Sequence, residues 1–323
     1  MNPANFTTRL RRWVGVLALG ASLLPATPAF AQSALKEVRI GYQKYGSLLI
    51  VKTRGALDKR LAEKGIAVKW TEFPFGPPLL EAINVGSIDI GTVGEAPPVF
   101  AQAAGADLVY IGNEPPAPSS EALLVPSGSP LQKVADLKGH KVAVAKGSNA
   151  NYFLVKALEN AGLRFTDIEP VYLAPADARA AFESGRVDAW AIWDPYQAAA
   201  EKQLKARTLT DGKGIVENHQ FYMAARSFAS KNPEIVHIVL DEIAKTDQWG
   251  KQNPKEVAKL LAPQLGIDLP IVELAAERLG YGVRPVSPEV LAAQQRIADK
   301  FYELKLVPRK VKVSDAALEA AGK

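Results

Sequence analysis

The chain has 323 residues, of which 48% are hydrophobic and 23% charged, and a formal net charge of +5. This length and apolar content indicate two folded domains and argue against a disordered protein. The sequence contains no cysteine and three histidines, which excludes disulfides, thiolate metal sites, iron–sulfur clusters and thiol nucleophiles and leaves little for a histidine-rich metal site.

The first 31 residues have the three parts of a secretory signal peptide. Arginines precede a short apolar run over residues 13–24, and Ala29-Phe-Ala31 has the pattern of a cleavage site. Arg11-Arg12 also allows a twin-arginine signal, but the surrounding residues favour the general secretory route. Without this segment three arginines and no acid are lost, so the charge falls from +5 to +2 and nucleic acid is not indicated as a partner. We expect an exported, unanchored protein of the bacterial periplasm.

From Val38 onward, short β-rich runs alternate with segments of helical pattern. Helices are predicted at 48–64 and 78–85. Strands are predicted at 38–42, 66–73, 88–92, 108–112, 141–145, 168–173, 188–192 and 222–226. Strands separated by helices predict an α/β fold with doubly wound parallel sheets, flanked by helices.

Two pairs of matching segments indicate that this pattern occurs twice. Gly46-Ser47 and Gly147-Ser148 each follow a strand and precede a helix, 101 residues apart. Gly86-Ser-Ile-Asp89 and Gly185-Arg-Val-Asp188 each end a helix before an Asp-bearing strand, 99 residues apart. Unrelated pairs at nearly the same offset predict two lobes of similar architecture.

The Pro-rich segment 114–120 is the candidate crossover between the lobes. After the strand at 222–226 the pattern becomes helical, with helices predicted at 232–250, 254–265, 270–279 and 288–304, each beginning at or near a proline. A segment without strands cannot form a third sheet, so it should cover the first lobe. We therefore predict a discontinuous first lobe at 32–120 and 222–323, and a second lobe at 121–221 that includes the hinge crossovers.

The predicted strand-to-helix loops are the candidate binding site, because ligands of open α/β sheets bind beyond the carboxyl ends of the strands. Backbone N–H groups at helix N-termini can hold an anion there without formal cations. For any one loop an ordinary N-cap is the alternative, but several loops on one rim favour a site. The loops carry Gly46 and Ser47, Gly76 and Pro77, Gly94 and Glu95, and Gly147, Ser148 and Asn149.

Other side chains should reach the same rim. Gln43 follows the first strand and can donate and accept, whereas Lys44 is interpreted as a surface charge. Glu95 either serves the helix dipole or accepts a hydrogen bond from a polar ligand group, since a carboxylate repels an anion.

The segment 188–196 is rich in tryptophan and contains an Asp-Pro pair. Trp190 and Asp194 are either a core side chain and a helix cap, or an aromatic wall and a polar anchor for a small organic ligand. Strand alternation favours Trp190 over Trp193 for the site.

The sequence contains no enzyme signature: no Gly-x-Ser-x-Gly elbow, P-loop, His-Glu-x-x-His or dinucleotide fingerprint. His140, His219 and His237 are isolated, and Asp177 and Asp188 are explained by helix and strand-start roles. We therefore predict a binding protein that is not an enzyme and needs no cofactor or metal.

Several long runs of the sequence follow the pattern of one known family. They are Gly41-Tyr-Gln-Lys44, Glu72-Phe-Pro74 with Gly76-Pro77, residues 84–89, Pro97-Pro98 with residues 100–110, residues 134–143, Lys146-Gly-Ser148, residues 175–182 and residues 188–196. With these runs the chain resembles the periplasmic binding proteins of ABC importers for aliphatic sulfonates, within the nitrate/taurine/sulfonate-binding family. The resemblance covers nearly the whole chain after residue 31.

The resemblance implies a two-lobed periplasmic binding protein fold of type II, which encloses its ligand in the interlobe cleft. The implied partners are a sulfonate ligand, taken up for its sulfur, and an ABC permease of the inner membrane, with the protein acting as a monomer. The implied site comprises Gln43, the Gly76-Pro77 loop, the loop from Thr92 to Glu95, Ser148 and its neighbours, and Trp190 with Asp194.

Three features near this site depart from the family pattern. Tyr45 is an insertion between Lys44 and Gly46, Glu95 stands in place of an aspartate, and the loop 149–151 replaces one richer in serine. The same fold could alternatively bind taurine, nitrate or a thiamin-precursor pyrimidine, and carboxylates at Glu95 and Asp194 would suit the ammonium of taurine. An enzyme on this scaffold is a further, weaker alternative.

Overall fold

The computed structural model describes residues 35–318, so the predicted signal peptide lies outside the described residues. Within this range ten strands form two five-stranded sheets. The strands are β1 (Glu37–Tyr42), β2 (Ala67–Glu72), β3 (Ile90–Gly94), β4 (Leu108–Asn113), β5 (Glu121–Val125), β6 (Lys141–Val144), β7 (Glu169–Tyr172), β8 (Ala189–Trp193), β9 (Arg207–Asp211) and β10 (Gln220–Ala225).

The two sheets have the same topology. The first has the order β2-β1-β3-β10-β4 and the second β7-β6-β8-β5-β9. This confirms the α/β fold class, but the expectation of wholly parallel sheets was wrong. In each sheet one strand, β10 or β5, runs antiparallel to its neighbours. Each of these strands enters directly from the other sheet without a crossover helix, so nothing in its connection requires a parallel orientation.

Twelve α-helices occur in the described part of the chain. They are α1 (Ser47–Arg54), α2 (Ala56–Ala62), α3 (Gly76–Asn84), α4 (Pro97–Ala104), α5 (Asn149–Asn160), α6 (Pro175–Glu183), α7 (Tyr196–Gln203), α8 (Arg226–Lys231), α9 (Pro233–Gln252), α10 (Pro254–Leu265), α11 (Leu269–Glu277) and α12 (Pro288–Glu303). The predicted helix at 48–64 is divided, because Gly55 takes a left-handed conformation (φ 67°) that ends α1. No helix between residues 35 and 318 has the length and apolarity needed to cross a membrane.

We use the name lobe I for residues 35–113 and 220–318, and lobe II for residues 121–211; the segments 114–120 and 212–219 connect them. Strand alternation gives lobe I a core on each face of its sheet: in β10, Tyr222 and Ala224 pack on one side and Phe221 and Met223 on the other. Helices α9 and α10 complete the first core and α12 the second. A separate core fills lobe II.

The predicted repeat is present in three dimensions. Gly86 and Gly185 both have positive φ angles, 73° and 68°, where they end equivalent helices. Asp89 accepts a hydrogen bond from the Arg39 backbone N–H at 2.7 Å. In the same way Asp188 accepts one from the Lys141 N–H at 2.8 Å. Each aspartate thus ties its strand to the start of the neighbouring strand, so its role is structural.

Candidate functional site

The carboxyl ends of β3 and β8 meet at a small cavity between the lobes. Lobe I contributes Gln43, Tyr45, Gly94 and Gln220 to its lining, and Asn149 and Trp193 contribute from lobe II. The cavity measures about 10 Å³, which is about the space that one water needs. The lobes are therefore closed onto each other in this structure.

The cavity walls come from equivalent positions of the two sheets. Gly94 pairs with Gln220 across β3 and β10, and Trp193 pairs with Glu121 across β8 and β5. Gly94 and Trp193 are the last residues of their strands. The repeated topology thus brings two matching strand ends face to face, which is where an α/β sheet binds its ligands.

Two of the predicted glycines, Gly94 and Gly147, lie where the lobes approach each other closely. A Cβ on Gly94 would lie 2.8 Å from Cγ of Asn149. A Cβ on Gly147 would lie 3.4 Å from the Phe100 ring and 3.5 Å from Pro77. Gly76 serves packing inside lobe I, where its Cβ would collide with Pro97 at 2.5 Å. Gly46 has open space around it.

Gln43 lies at the rim, as the sequence indicated. Its Nε2 donates to the Thr92 carbonyl at 2.9 Å, and both residues are buried. This bond fixes the Gln43 side chain in the cavity wall. Thr92 therefore contributes to the site through its backbone carbonyl. Lys44 is a surface charge, 3.8 Å from Glu72.

Both predicted serines use their hydroxyls locally. The Ser47 hydroxyl donates to Asp247. The Ser148 hydroxyl donates to the Ala145 carbonyl at 2.7 Å and accepts from the Asn151 N–H at 3.2 Å. Ser148 is therefore an N-cap, because a hydroxyl at this position reaches the free N–H groups of the first helical turn. The structure does not leave either hydroxyl free toward the cavity.

The two tryptophans have the reverse of the expected placement. Trp190 lies in the core of lobe II, with its ring centroid 5.8 Å from that of Phe182 and 6.5 Å from that of Tyr196. Trp193 lines the cavity. Residues three apart on a strand point to opposite faces, and the cleft-facing side chain is the one at the strand end.

Asp194 is fully buried and is held by a cation from the other lobe. One carboxylate oxygen accepts from the Ala198 N–H at 3.0 Å, and Nη1 of Arg278 lies 3.5 Å from each oxygen. Nη2 of Arg278 donates to Glu201 at 2.8 Å. Burial raises the pKa of Asp194 to about 7, against the opposing effect of Arg278. Sequence reasoning missed Arg278, which is 84 residues away and has no local signal.

Two further carboxyl groups lie beside the cavity lining. Glu95 accepts from the His219 N–H through Oε2 at 3.2 Å, and burial raises its pKa to about 8. Glu121 accepts from Asn149 Nδ2 at 2.9 Å through Oε2; burial and the nearby charge of Glu95 hold its pKa well above the usual range. Both Oε1 atoms are buried and have no hydrogen-bond partner among the described residues.

Sequence reasoning named Tyr45 only as an insertion and did not propose Trp193, Gln220 or Glu121 for the site. Tyr45 is buried in the cavity wall, and its hydroxyl has no partner within residues 35–318. Its position in the short loop between β1 and α1 was a usable signal. In the described range, no group of three or more histidine or acidic side chains could hold a metal ion.

The comparisons with known proteins agree on one group. Residues 61–257 match the family described as NMT1/THI5 like. A protein of Escherichia coli strain K12, named as a candidate aliphatic sulfonates-binding protein, is 49% identical over 301 residues, 92% of this chain and 93% of that protein. A protein of Bacillus subtilis strain 168 with the same name is 35% identical over 283 residues, which are 87% of this chain and 85% of that protein.

Solved structures give the same result. The alkanesulfonate-binding protein SsuA from Xanthomonas axonopodis pv. citri, bound to MOPS, is 43% identical with a TM-score of 0.84, covering 88% of this chain and 99% of that one. The periplasmic aliphatic sulphonate binding protein SsuA from E. coli is 48% identical with a TM-score of 0.80, covering 89% and 94%. The desulfurization enzyme DSZB shares the fold alone, at 16% identity and a TM-score of 0.64.

Proposed function

The chain belongs to the NMT1/THI5-like family and, within it, to the group of the aliphatic sulfonate-binding relatives, and from this premise we propose that it captures aliphatic sulfonates in the periplasm for uptake by an ABC importer. The observation that carries the proposal is the composition of the interlobe cavity. All six of its lining residues are uncharged, and five of them are amide-bearing or aromatic. Neutral N–H and O–H donors suit an anion that must later be released to a permease.

A sulfonate offers three acceptor oxygens and stays ionised across the physiological pH range. The Tyr45 hydroxyl is buried in the cavity wall and has no partner among the described residues, so it is available to donate. Hydrogen bonds to a charged acceptor are about twice as strong as neutral ones. A micromolar dissociation constant corresponds to about −8 kcal/mol, within reach of several such bonds plus contact with the Trp193 ring.

Capture requires movement of the lobes, because the closed cavity of about 10 Å³ is smaller than any sulfonate. Opening about the segments 114–120 and 212–219 would expose the site. A ligand that contacts both lobes would then favour a closed state in which the lobes stand slightly farther apart than they do here, and the permease would recognise that state. We propose that the protein acts as a monomer. We also propose that it binds without catalysis, since 92% of the chain aligns with a sulfonate-binding relative and it resembles the DSZB enzyme in fold alone.

A thermal-shift panel tests the ligand class. Ligands that bind the folded state raise the melting temperature by mass action. We expect a rise with ethane- to octanesulfonate, and none with sulfate, nitrate or an aminopyrimidine at equal concentration; taurine is included because a taurine-binding relative is 29% identical over 208 residues. The buffer must be phosphate, since MOPS and similar buffers are themselves sulfonates. A rise with nitrate or the pyrimidine but with no sulfonate would contradict the proposal.

A further inference from the structure

Two carboxyl groups from different lobes lie next to residues that line the cavity. Glu95 follows Gly94, which lines the cavity, at the end of β3. Glu121 is the cross-strand neighbour of Trp193 and bonds to Asn149, both of which line the cavity. Each carboxyl is thus one residue or one hydrogen bond away from a residue that lines the cavity. A pair of ionised carboxylates there would repel the anion that the cavity is proposed to bind.

The hydrogen bonds around each carboxyl show where a proton would reside. Oε2 of Glu121 accepts from Asn149, and Oε2 of Glu95 accepts from the His219 N–H. Their Oε1 atoms are buried without a partner among the described residues. An unpaired acceptor in such a place is costly, and a sulfonate, which has only acceptor oxygens, cannot satisfy it. A proton on Oε1 turns the same atom into a donor that a sulfonate oxygen can accept.

We propose that Glu121, kept neutral beside Glu95, donates a hydrogen bond from its protonated Oε1 to the bound sulfonate, so that capture of the anion takes up a proton. This inference rests on the proposed function of the cavity. It removes the conflict between an acidic rim and an anionic ligand, because a carboxylic acid is a neutral donor.

The surroundings of the pair support its neutral form. Glu121 is completely buried, and burial together with Glu95 raises its pKa. The pKa of Glu95 is raised by burial and by the charge of Glu217. Glu95 also lines a groove of about 600 Å³ between the lobes, beside the cavity. The other titratable and charged groups that line this groove or contact the pair come from α5, α12 and the lobe connection: Tyr152, Lys156, Arg296, Lys300 and His219. Three of these groups, Lys156, Arg296 and Lys300, are cations, yet the pKa of both carboxyl groups is still raised.

The pH dependence of binding follows from the sign of the linkage. If the complex holds a proton that the free protein gives up more easily, affinity falls as pH rises. The sulfonate does not titrate, so any such dependence belongs to the protein. Calorimetric titration of the full chain with butane-1-sulfonate should show affinity falling about tenfold or more between pH 6 and pH 9. Enthalpies measured at one pH in phosphate and in Tris should differ by the uptake of a proton.

Matched variants test whether Glu121 is the group that takes up the proton. Glu121→Gln keeps an acceptor for Asn149 and a neutral donor for the ligand, so it should retain the pH 6 affinity and lose less at pH 9. The Glu95→Gln/Glu121→Gln double variant should lose most of the pH dependence; Asp194, whose pKa burial raises to about 7, remains ionisable next to Trp193. Glu121→Leu has no donor and should bind about tenfold more weakly at pH 6. Glu169→Gln, an exposed carboxylate at the start of β7, is the control and should keep the wild-type profile.

The outcomes separate this inference from the proposed function. A flat wild-type profile, or Glu121→Gln binding as weakly as Glu121→Leu, would overturn the donor role while leaving sulfonate capture intact. A preference for 3-aminopropanesulfonate over butane-1-sulfonate that Glu121→Gln abolishes would also overturn it, by showing an ionised carboxylate. If the wild type binds no sulfonate at pH 6, the proposed function itself fails. Should the leucine variant not fold, the pH profiles of the glutamine variants still decide.

Discussion

Gly94 of lobe I lies directly against Asn149 of lobe II, so that a Cβ on Gly94 would fall 2.8 Å from Cγ and 2.9 Å from Cβ of Asn149. The Asn149 side chain cannot move aside freely, because it donates to Glu121 at 2.9 Å and to Asn218 at 3.0 Å. The close contact between the lobes seen here therefore depends on the absence of a side chain at position 94.

Gly94→Ala should weaken sulfonate binding while leaving each lobe folded. Overpacking of this kind costs about 1–3 kcal/mol, and 1.4 kcal/mol corresponds to about tenfold in affinity, so we expect a loss of about tenfold. Calorimetric titration measures it. Gly128→Ala is the matched control, since a Cβ there has no neighbour within 4 Å. An unchanged dissociation constant for Gly94→Ala would show that this contact does not limit closure.

Tyr45→Phe should separate ligand binding from stability. Because the hydroxyl is buried and has no partner among the described residues, its removal should leave the melting temperature of the ligand-free protein unchanged or slightly higher. If the hydroxyl donates to the sulfonate, affinity should fall about fivefold to tenfold. Thermal unfolding and titration give the two values. Equal affinity of the variant and the wild type would show that the Tyr45 hydroxyl does not bind the sulfonate.

The two neighbouring tryptophans should respond differently to ligand. Trp193 lines the cavity, whereas Trp190 lies in the lobe II core with 1% exposure. Ligand-induced change in tryptophan fluorescence should therefore disappear in Trp193→Phe and persist in Trp190→Phe. Trp190→Phe should instead lower the melting temperature, because it leaves a cavity in the core. The opposite pattern would assign the site to Trp190.

Stability should decrease as pH rises above about 5. Burial raises the pKa of Glu95 to about 8, and burial together with Asp247 also raises that of Glu114. The folded protein thus holds protons that the unfolded chain releases near pH 4–5, and the stability they contribute is lost as pH rises through the folded-state values. The melting temperature should be higher at pH 5.5 than at pH 8.5.

Glu114→Gln tests one of these groups. Glu114 accepts from the Tyr222 hydroxyl, and its Oε2 is buried without a partner in the described range. A glutamine cannot ionise, so this variant should lose less stability between pH 5.5 and pH 8.5 than the wild type. Glu63→Gln, an exposed residue after α2, should behave as the wild type. Identical pH profiles for all three proteins would exclude Glu114 as a source of the dependence.

Arg278→Gln should destabilise the protein more at high pH than at low pH. Asp194 is fully buried, and removal of Arg278 leaves its charge without a cation. Breaking a buried pair in this way costs about 3–5 kcal/mol, and the cost should shrink as pH falls below 7 and Asp194 becomes neutral. Unfolding by urea at pH 8.5 and pH 5.5 measures the difference. The Asp194→Asn/Arg278→Gln double variant should recover stability at pH 8.5; failure to recover would show that Arg278 acts through packing.

Much of the fold follows from local patterns. The strand at 38–42, the four helices after residue 232 and the glycine-marked repeat were predicted because periodicity, prolines and glycines act within a few residues. Strands β5 and β9 were missed. Glu121–Val125 is buried throughout, so it has no alternation, and Arg207–Asp211 is a half-buried edge strand. The antiparallel orientation of β5 and β10 could not be predicted, because it depends on each strand entering its sheet from the other lobe.

The sequence by itself determined the order of the elements, their repetition at an offset of about one hundred residues and the glycine-rich rim at the strand ends, because these are properties of neighbouring residues. Only the tertiary structure decided which side chains face the cavity. In the folded protein the Ser47 hydroxyl donates to Asp247, 200 positions away, and Arg278 contacts Asp194. Trp193, rather than Trp190, lines the cavity. Such contacts depend on how two lobes pack, and a residue's partner across that interface leaves no trace in its local sequence.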